Sequence, residues 1–192
     1  MKRFAMAICV ATIPACPAVA DPMPMPEVDY EGEWQMDPGN GVQGARIHYS
    51  AILKAFRIDM TTPAGEASVI RDMASGDMLM WGIMGQDTAM KLRTPNRIPD
   101  GAPTGETEEV NGEPCAIWVG ADVRVCLGEG NIPLSAKAHG TSVQLLNVER
   151  REQEAALFEP PAGIKVMELP AAVMKQMEKM QGGIPGKSVF PF

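Results

Sequence analysis

Met78-Leu79-Met80-Trp81-Gly82-Ile83-Met84 is apolar throughout. As a strand it sends Met78, Met80 and Met84 to one side and Leu79, Trp81 and Ile83 to the other. An antiparallel strand with one wet side is polar at alternate positions, so both sides of this one are expected to be covered, by protein or by something bound.

The flanking sequence reads as further strands joined by turn chemistry. Upstream, strands are expected at 45–50, 52–60 and 67–73, with turns at Pro63-Ala64-Gly65 and Ser75-Gly76. In the second of them Phe56, Ile58 and Met60 share a face opposite Arg57 and Asp59. Earlier still, Val28, Tyr30, Trp34 and Met36 alternate with Glu27, Asp29, Glu31 and Glu33, a half-buried strand with an acidic outer edge. Pro22, Pro24 and Pro26 make residues 21–26 an extended leader to the domain. Downstream, residues 95–114 hold Pro95, Pro99, Pro103 and Pro114 with Gly101, Gly105 and Gly112, and are read as one long loop. Strands follow at 132–139, 142–149 and 164–168. Pro170 is placed to open a short C-terminal helix that Gly182 ends, with Val173, Met174, Met177 and Met180 along one stripe, and residues 182–192 form a loose tail. The expectation is a mainly β (α+β) chain with one domain over 27–181.

Residues 1–20 have the parts of a secretory signal: basic Lys2 and Arg3, an apolar run from Phe4 to Ala15, and small Ala18 and Ala20 before Asp21. The run is shorter than the roughly 20 residues a membrane-spanning helix needs. Cleavage is expected after Ala20, with Ile13-Pro14-Ala15-Cys16 as an alternative lipid-attachment signal at Cys16. Of the 192 residues, 45% are hydrophobic, 21% charged and 5% aromatic, the balance of a globular domain. Removing the leader takes two of the 17 basic residues and none of the 24 acidic ones, so the net charge moves from −7 to −9. That acidity argues against nucleic acid and anionic lipid headgroups as partners, because both need a basic surface. No transmembrane segment is expected after cleavage, and the address is the periplasm.

Cys115 and Cys126 bracket a Val-rich segment interrupted by Gly120-Ala121. Glycine at the first central position suits a two-residue type II′ turn. In that register 119 faces 122 and 115 faces 126, about 5.5 Å apart between Cα atoms, which permits a disulfide. An exporting compartment favours forming it.

No catalytic constellation is legible: His48 and His139 are the only near-neutral bases, and no nucleophile elbow, phosphate loop or zinc spacing occurs. No catalytic residue, cofactor or metal ligand is assigned. Thirteen methionines remain after Met1 and Met6 leave with the signal. They support three readings: packing, an adaptable apolar binding surface, or Cu(I) handling through pairs such as Met23/Met25 and Met78/Met80.

Phe56-Arg57-Ile58-Asp59-Met60, the Thr62-Pro63 turn, Ser68-Val69-Ile70-Arg71-Asp72, the 78–84 strand and Phe158-Glu159-Pro160-Pro161-Ala162-Gly163 occur in an order that resembles the LolA-like superfamily of periplasmic lipoprotein carriers, including a branch known only as a domain of unknown function. The resemblance covers residues 44–94 and 143–168. It implies a curved antiparallel sheet, an incomplete β-barrel, whose concave face shelters acyl chains. Candidates for lining that cavity are Phe56, Ile58, Met60, Met78, Met80, Trp81, Met84, Met90 and Trp118. The family's opening amphipathic helix has no counterpart in 21–36, and Ile52 stands where the family carries the arginine that holds its lid. The leading expectation is an exported, non-enzymatic protein that binds a lipid or a lipidated protein. The alternatives are an envelope interaction module with a filled core, and methionine-based Cu(I) handling.

Overall fold

The computed structural model describes residues 21–36, 44–62, 65–82, 87–93, 98–138 and 140–168. Thirteen strands follow in chain order: β1 (Asp21–Pro22), β2 (Tyr30–Met36), β3 (Ala45–Ser50), β4 (Ala55–Thr62), β5 (Gly65–Asp72), β6 (Asp77–Trp81), β7 (Thr88–Arg93), β8 (Asp100–Val110), β9 (Glu113–Val119), β10 (Val123–Leu127), β11 (Pro133–Ala138), β12 (Thr141–Glu149) and β13 (Lys165–Glu168). They form one curved sheet that does not close, in the order β1-β8-β9-β10-β11-β12-β2-β3-β4-β5-β6-β7-β13. Neighbours are antiparallel except β13, which runs parallel to β7. Two single turns of 3-10 helix, Glu129–Asn131 and Ala155–Phe158, are the helical elements among the described residues, and no helix there is long and apolar enough to cross a membrane.

Cross-strand register assigns the faces. Tyr30, Tyr49 and Phe56 form one row, Ile47 and Ile58 the next, and Leu145, Trp34, Ala45 and Met60 a third, all on the inner side. Tyr30, Ile47, Tyr49 and Leu145 are fully buried there. Burying a side chain of this size contributes about 1.5–3 kcal/mol, so these rows are the main source of cohesion. The 21–26 segment is extended, as its prolines require, but it lies within the fold and not ahead of it. Asp21 pairs with Gly101, the Met23 N–H donates to the Pro99 carbonyl, and the Tyr49 phenol donates to the Pro26 carbonyl at 3.1 Å.

The 95–114 segment corrects the loop expectation. Its residues from Asp100 onward form β8, and Val110-Asn111-Gly112-Glu113 closes a hairpin with β9. Asn111 and Gly112 both have positive φ, 53° and 83°, which is the type I′ geometry that Asn-Gly favours. Pro103 is tolerated within β8 because, among the described residues, β8 meets β1 on its far side over only two residues.

The following hairpin also departs from its expected register. The Gly120 N–H donates to the Val123 carbonyl at 2.8 Å, so Ala121 and Asp122 are the central turn residues. Cys126 therefore faces Ile117 and not Cys115. The disulfide still forms, running diagonally with Cα atoms 5.4 Å apart. Gly120 serves a different need: a Cβ there would lie 2.4 Å from the Asp100 carbonyl oxygen, where β8 approaches.

Three strand limits also move. Residues 51–54 form a turn ending in Lys54 at φ 50°, so β4 starts at Ala55 and not at 52. β6 stops at Trp81 because Gly82 turns to φ 82°. β7 was not anticipated, since Thr88-Ala89-Met90-Lys91-Leu92-Arg93 carries small and charged residues that mask its alternation. The signal segment 1–20, the helix of 170–182, the tail, Met84 and His139 lie outside the described residues.

Candidate functional site

The inner face changes character at β4. Up to Ile58 it is sealed: Phe56 packs against Tyr49 with tilted rings whose centroids are 4.5 Å apart, and Ile58 is buried opposite Ile47. Beyond it, register carries the same face through Val69 on β5, Met78 and Met80 on β6, and Met90 and Leu92 on β7. Met60, Val69, Met78, Met80 and Leu92 are half-buried, and Met90 is buried. The expectation that 78–84 is covered on both sides holds for Trp81 and Gly82 among the described positions, while Met78, Leu79 and Met80 stay partly exposed.

Six of the nine cavity candidates therefore share one surface: Phe56, Ile58, Met60, Met78, Met80 and Met90. Trp81 does not join them. It points to the outer face, opposite Ser68 and Ala89, with the Arg57 guanidinium 5.5 Å from its ring. Trp118 lies half-buried against the main core, six strands from β4, opposite Val125.

Arg71 is the charged group that the sequence reading passed over. It stands between Phe56 and Met78 in their cross-strand row, half-buried, and burial pulls its guanidinium pKa down. The signal was present as one cation breaking an apolar alternation. A second polar atom sits deeper: the Tyr30 hydroxyl is fully buried with no hydrogen-bond partner among the described residues, and desolvation raises its pKa well above the usual tyrosine value.

Over β2–β5 the outer face carries a polar network that the sequence reading also missed. His48, 8% exposed, stands between Glu31 on β2 and Arg57 on β4 in register. Its Nδ1 lies 3.0 Å from the Gln153 Oε1 and 3.3 Å from the Glu31 Oε2, and its Nε2 lies 4.0 Å from the Asp59 Oδ2. The Gln153 and Glu31 oxygens are both acceptors, so Nδ1 is the nitrogen placed to donate to them. Arg57 pairs with Asp59 at 2.9 Å and donates to the Leu157 carbonyl, while the Ser68 hydroxyl donates to Asp59 at 2.6 Å. Arg151 pairs with Glu31 at 2.7 Å, and the Gln153 N–H donates to Asp29. These bonds strap residues 151–158 across the sheet. Ser68 bonds Asp59 and not the imidazole, so the group lacks an activated nucleophile.

A half-open depression of about 420 Å³ lies on the same outer side, lined by Gln35, Arg124, Ser135, Lys137, Ser142 and Gln144 among others. Met36, Ala136 and Val143 complete its lining, which mixes polar and apolar groups.

No family model and no curated protein matches the chain. Solved structures do. An uncharacterized conserved protein from Thermus thermophilus is similar with a TM-score of 0.57 and 11% identity, over 74% of this chain and 91% of that one. PNGF-II is similar in two crystal forms, with TM-scores of 0.53 and 0.54 and identities of 13% and 14%. The match covers 78% of this chain but about a third of PNGF-II, 33% and 32% in the two forms. At these identities the likeness is one of fold.

Proposed function

We propose that this chain is an exported, non-enzymatic binding protein of the LolA-like kind, whose inner face over β4–β7 takes an apolar ligand, a lipid or acyl chain. The observation that supports this is the break at β4: an inner face sealed by packed aromatic rings on one side continues as half-buried Met60, Val69, Met78, Met80 and Leu92. Flexible thioether side chains adapt to ligands of varied shape. Arg71 gives that surface one cation, suited to a fatty-acid carboxylate or a lipid phosphate. Export is supported by the leader and by the Cys115–Cys126 disulfide, which suits an oxidising compartment.

A second reading, an envelope interaction module with no ligand, draws on the filled interior between Tyr30, Ile47, Tyr49 and Leu145. One experiment separates the two. Protein purified from its own periplasm is examined by native mass spectrometry and then titrated with a fluorescent fatty acid. Co-purified lipid, or saturable uptake weakened several-fold by Met80→Glu, supports the carrier reading. A ligand-free protein that takes up no probe rules it out and favours the interaction module.

A further inference from the structure

Three methionines far apart in the chain meet in one row. Met80 on β6 is directly opposite Met90 on β7, and Met90 is directly opposite Met167 on β13. Met78 is two residues from Met80 on the same face, so it flanks the row. The β7–β13 register has an independent mark: Glu168, one residue on, lies close enough to Lys91, its partner, to help raise the lysine pKa. Directly opposed residues have Cβ atoms about 5 Å apart, so thioethers on adjacent strands can converge on one ion. The side chains are accessible at one end, since Met167 is 48% exposed while Met90 between them is buried.

We infer that Met80, Met90 and Met167, with Met78 beside them, form a thioether site for a soft monovalent ion, Cu(I) or Ag(I). Thioether sulfur is a soft, neutral ligand, which favours a polarisable ion over Zn²⁺, Mg²⁺ or Ca²⁺. Arg71, across from Met78, adds to that choice, because its positive charge opposes a divalent ion about twice as strongly as a monovalent one. An exported protein meets such ions without the thiols of the cytosol. Ion binding here does not require acyl binding: the row runs from β6 past that surface to the sheet edge at β13.

The test uses the exported protein with its disulfide intact. Ag(I) is titrated while the methionine methyl resonances are followed, and Cu(I) is competed anaerobically against a chromogenic chelator. The site predicts that the first equivalent moves the methyls of Met80, Met90 and Met167, and that Cu(I) binds tighter than about 1 µM. Met90→Leu and Met167→Leu keep side-chain volume and should each weaken binding by roughly tenfold or more. Met36→Leu, four strands from β6, should leave it unchanged. Met167 is exposed, so its variant retains the fold and keeps the test decisive. Binding weaker than micromolar, first shifts at other methionines, or indifference to both substitutions would overturn the site. Fatty-acid uptake is a separate readout, so either proposal can fail alone.

Discussion

Tyr30 and Tyr49 are neighbours in the same core row, with ring centroids 5.6 Å apart, yet their hydroxyls differ. The Tyr49 hydroxyl donates to the Pro26 carbonyl, whereas that of Tyr30 has no partner among the described residues. Removing a satisfied buried hydroxyl costs about 1 kcal/mol, while removing an orphaned one is neutral or stabilising. Tyr49→Phe is therefore expected to lower the denaturant midpoint and Tyr30→Phe to hold or raise it. Both phenols also ionise late: burial pushes Tyr49 up to about 12 and raises Tyr30 well above the usual tyrosine value. A raised folded pKa favours the neutral form, so this contribution is complete below the unfolded value near 10 and is lost as pH rises through the folded one. These are the only two tyrosines in the chain. Tyrosinate absorbance should accordingly stay absent near pH 11 in folded protein and appear for both at once on unfolding.

At the scale of the element, β6 ends where glycine is required twice over. Gly82 has φ 82°, and a Cβ there would sit 2.1 Å from the Glu66 carbonyl oxygen. Gly112 in the β8–β9 turn has nearly the same φ, 83°, with open space around it. Gly112→Ala should cost only the left-handed backbone penalty, about 1 kcal/mol. Gly82→Ala adds a backbone clash and should cost about 3 kcal/mol or more, read as the difference in midpoint between the two variants. The same element shows what was legible. Alternation and turn chemistry together located β3, β5, β11 and β12 within one or two residues. Alternation misread β8, where the apolar signal is absent and Asn111-Gly112 carried the information instead.

For the whole molecule, the strap of residues 151–158 ties β2, β3 and β4 together on the outer side. The hydrogen bond from Arg151 holds the Glu31 carboxyl pKa below its ordinary value. A lowered folded pKa contributes stability above the unfolded value, which is lost as pH falls through the folded one. Because Arg151 is 61% exposed, the effect is modest. The Gln153 amide, bonded to Asp29, should exchange roughly two- to fivefold faster once Glu31 is protonated in acid. Glu31→Gln should show that faster exchange already at neutral pH, measured by hydrogen exchange of residues 151–158.

Sequence alone determined the β character, the apolar and polar faces of individual strands, and the pairing of Cys115 with Cys126, because alternation and turn chemistry are local properties of the chain. Tertiary structure decided which strands are neighbours, and with that everything about the candidate sites. Met167 joins Met80 and Met90 only because β13 runs parallel to β7; Gln153 reaches His48 only because the chain recrosses the sheet after β12. Such partners are set by long-range register, where a slip of one residue exchanges one face for the other, and no short window of sequence records it.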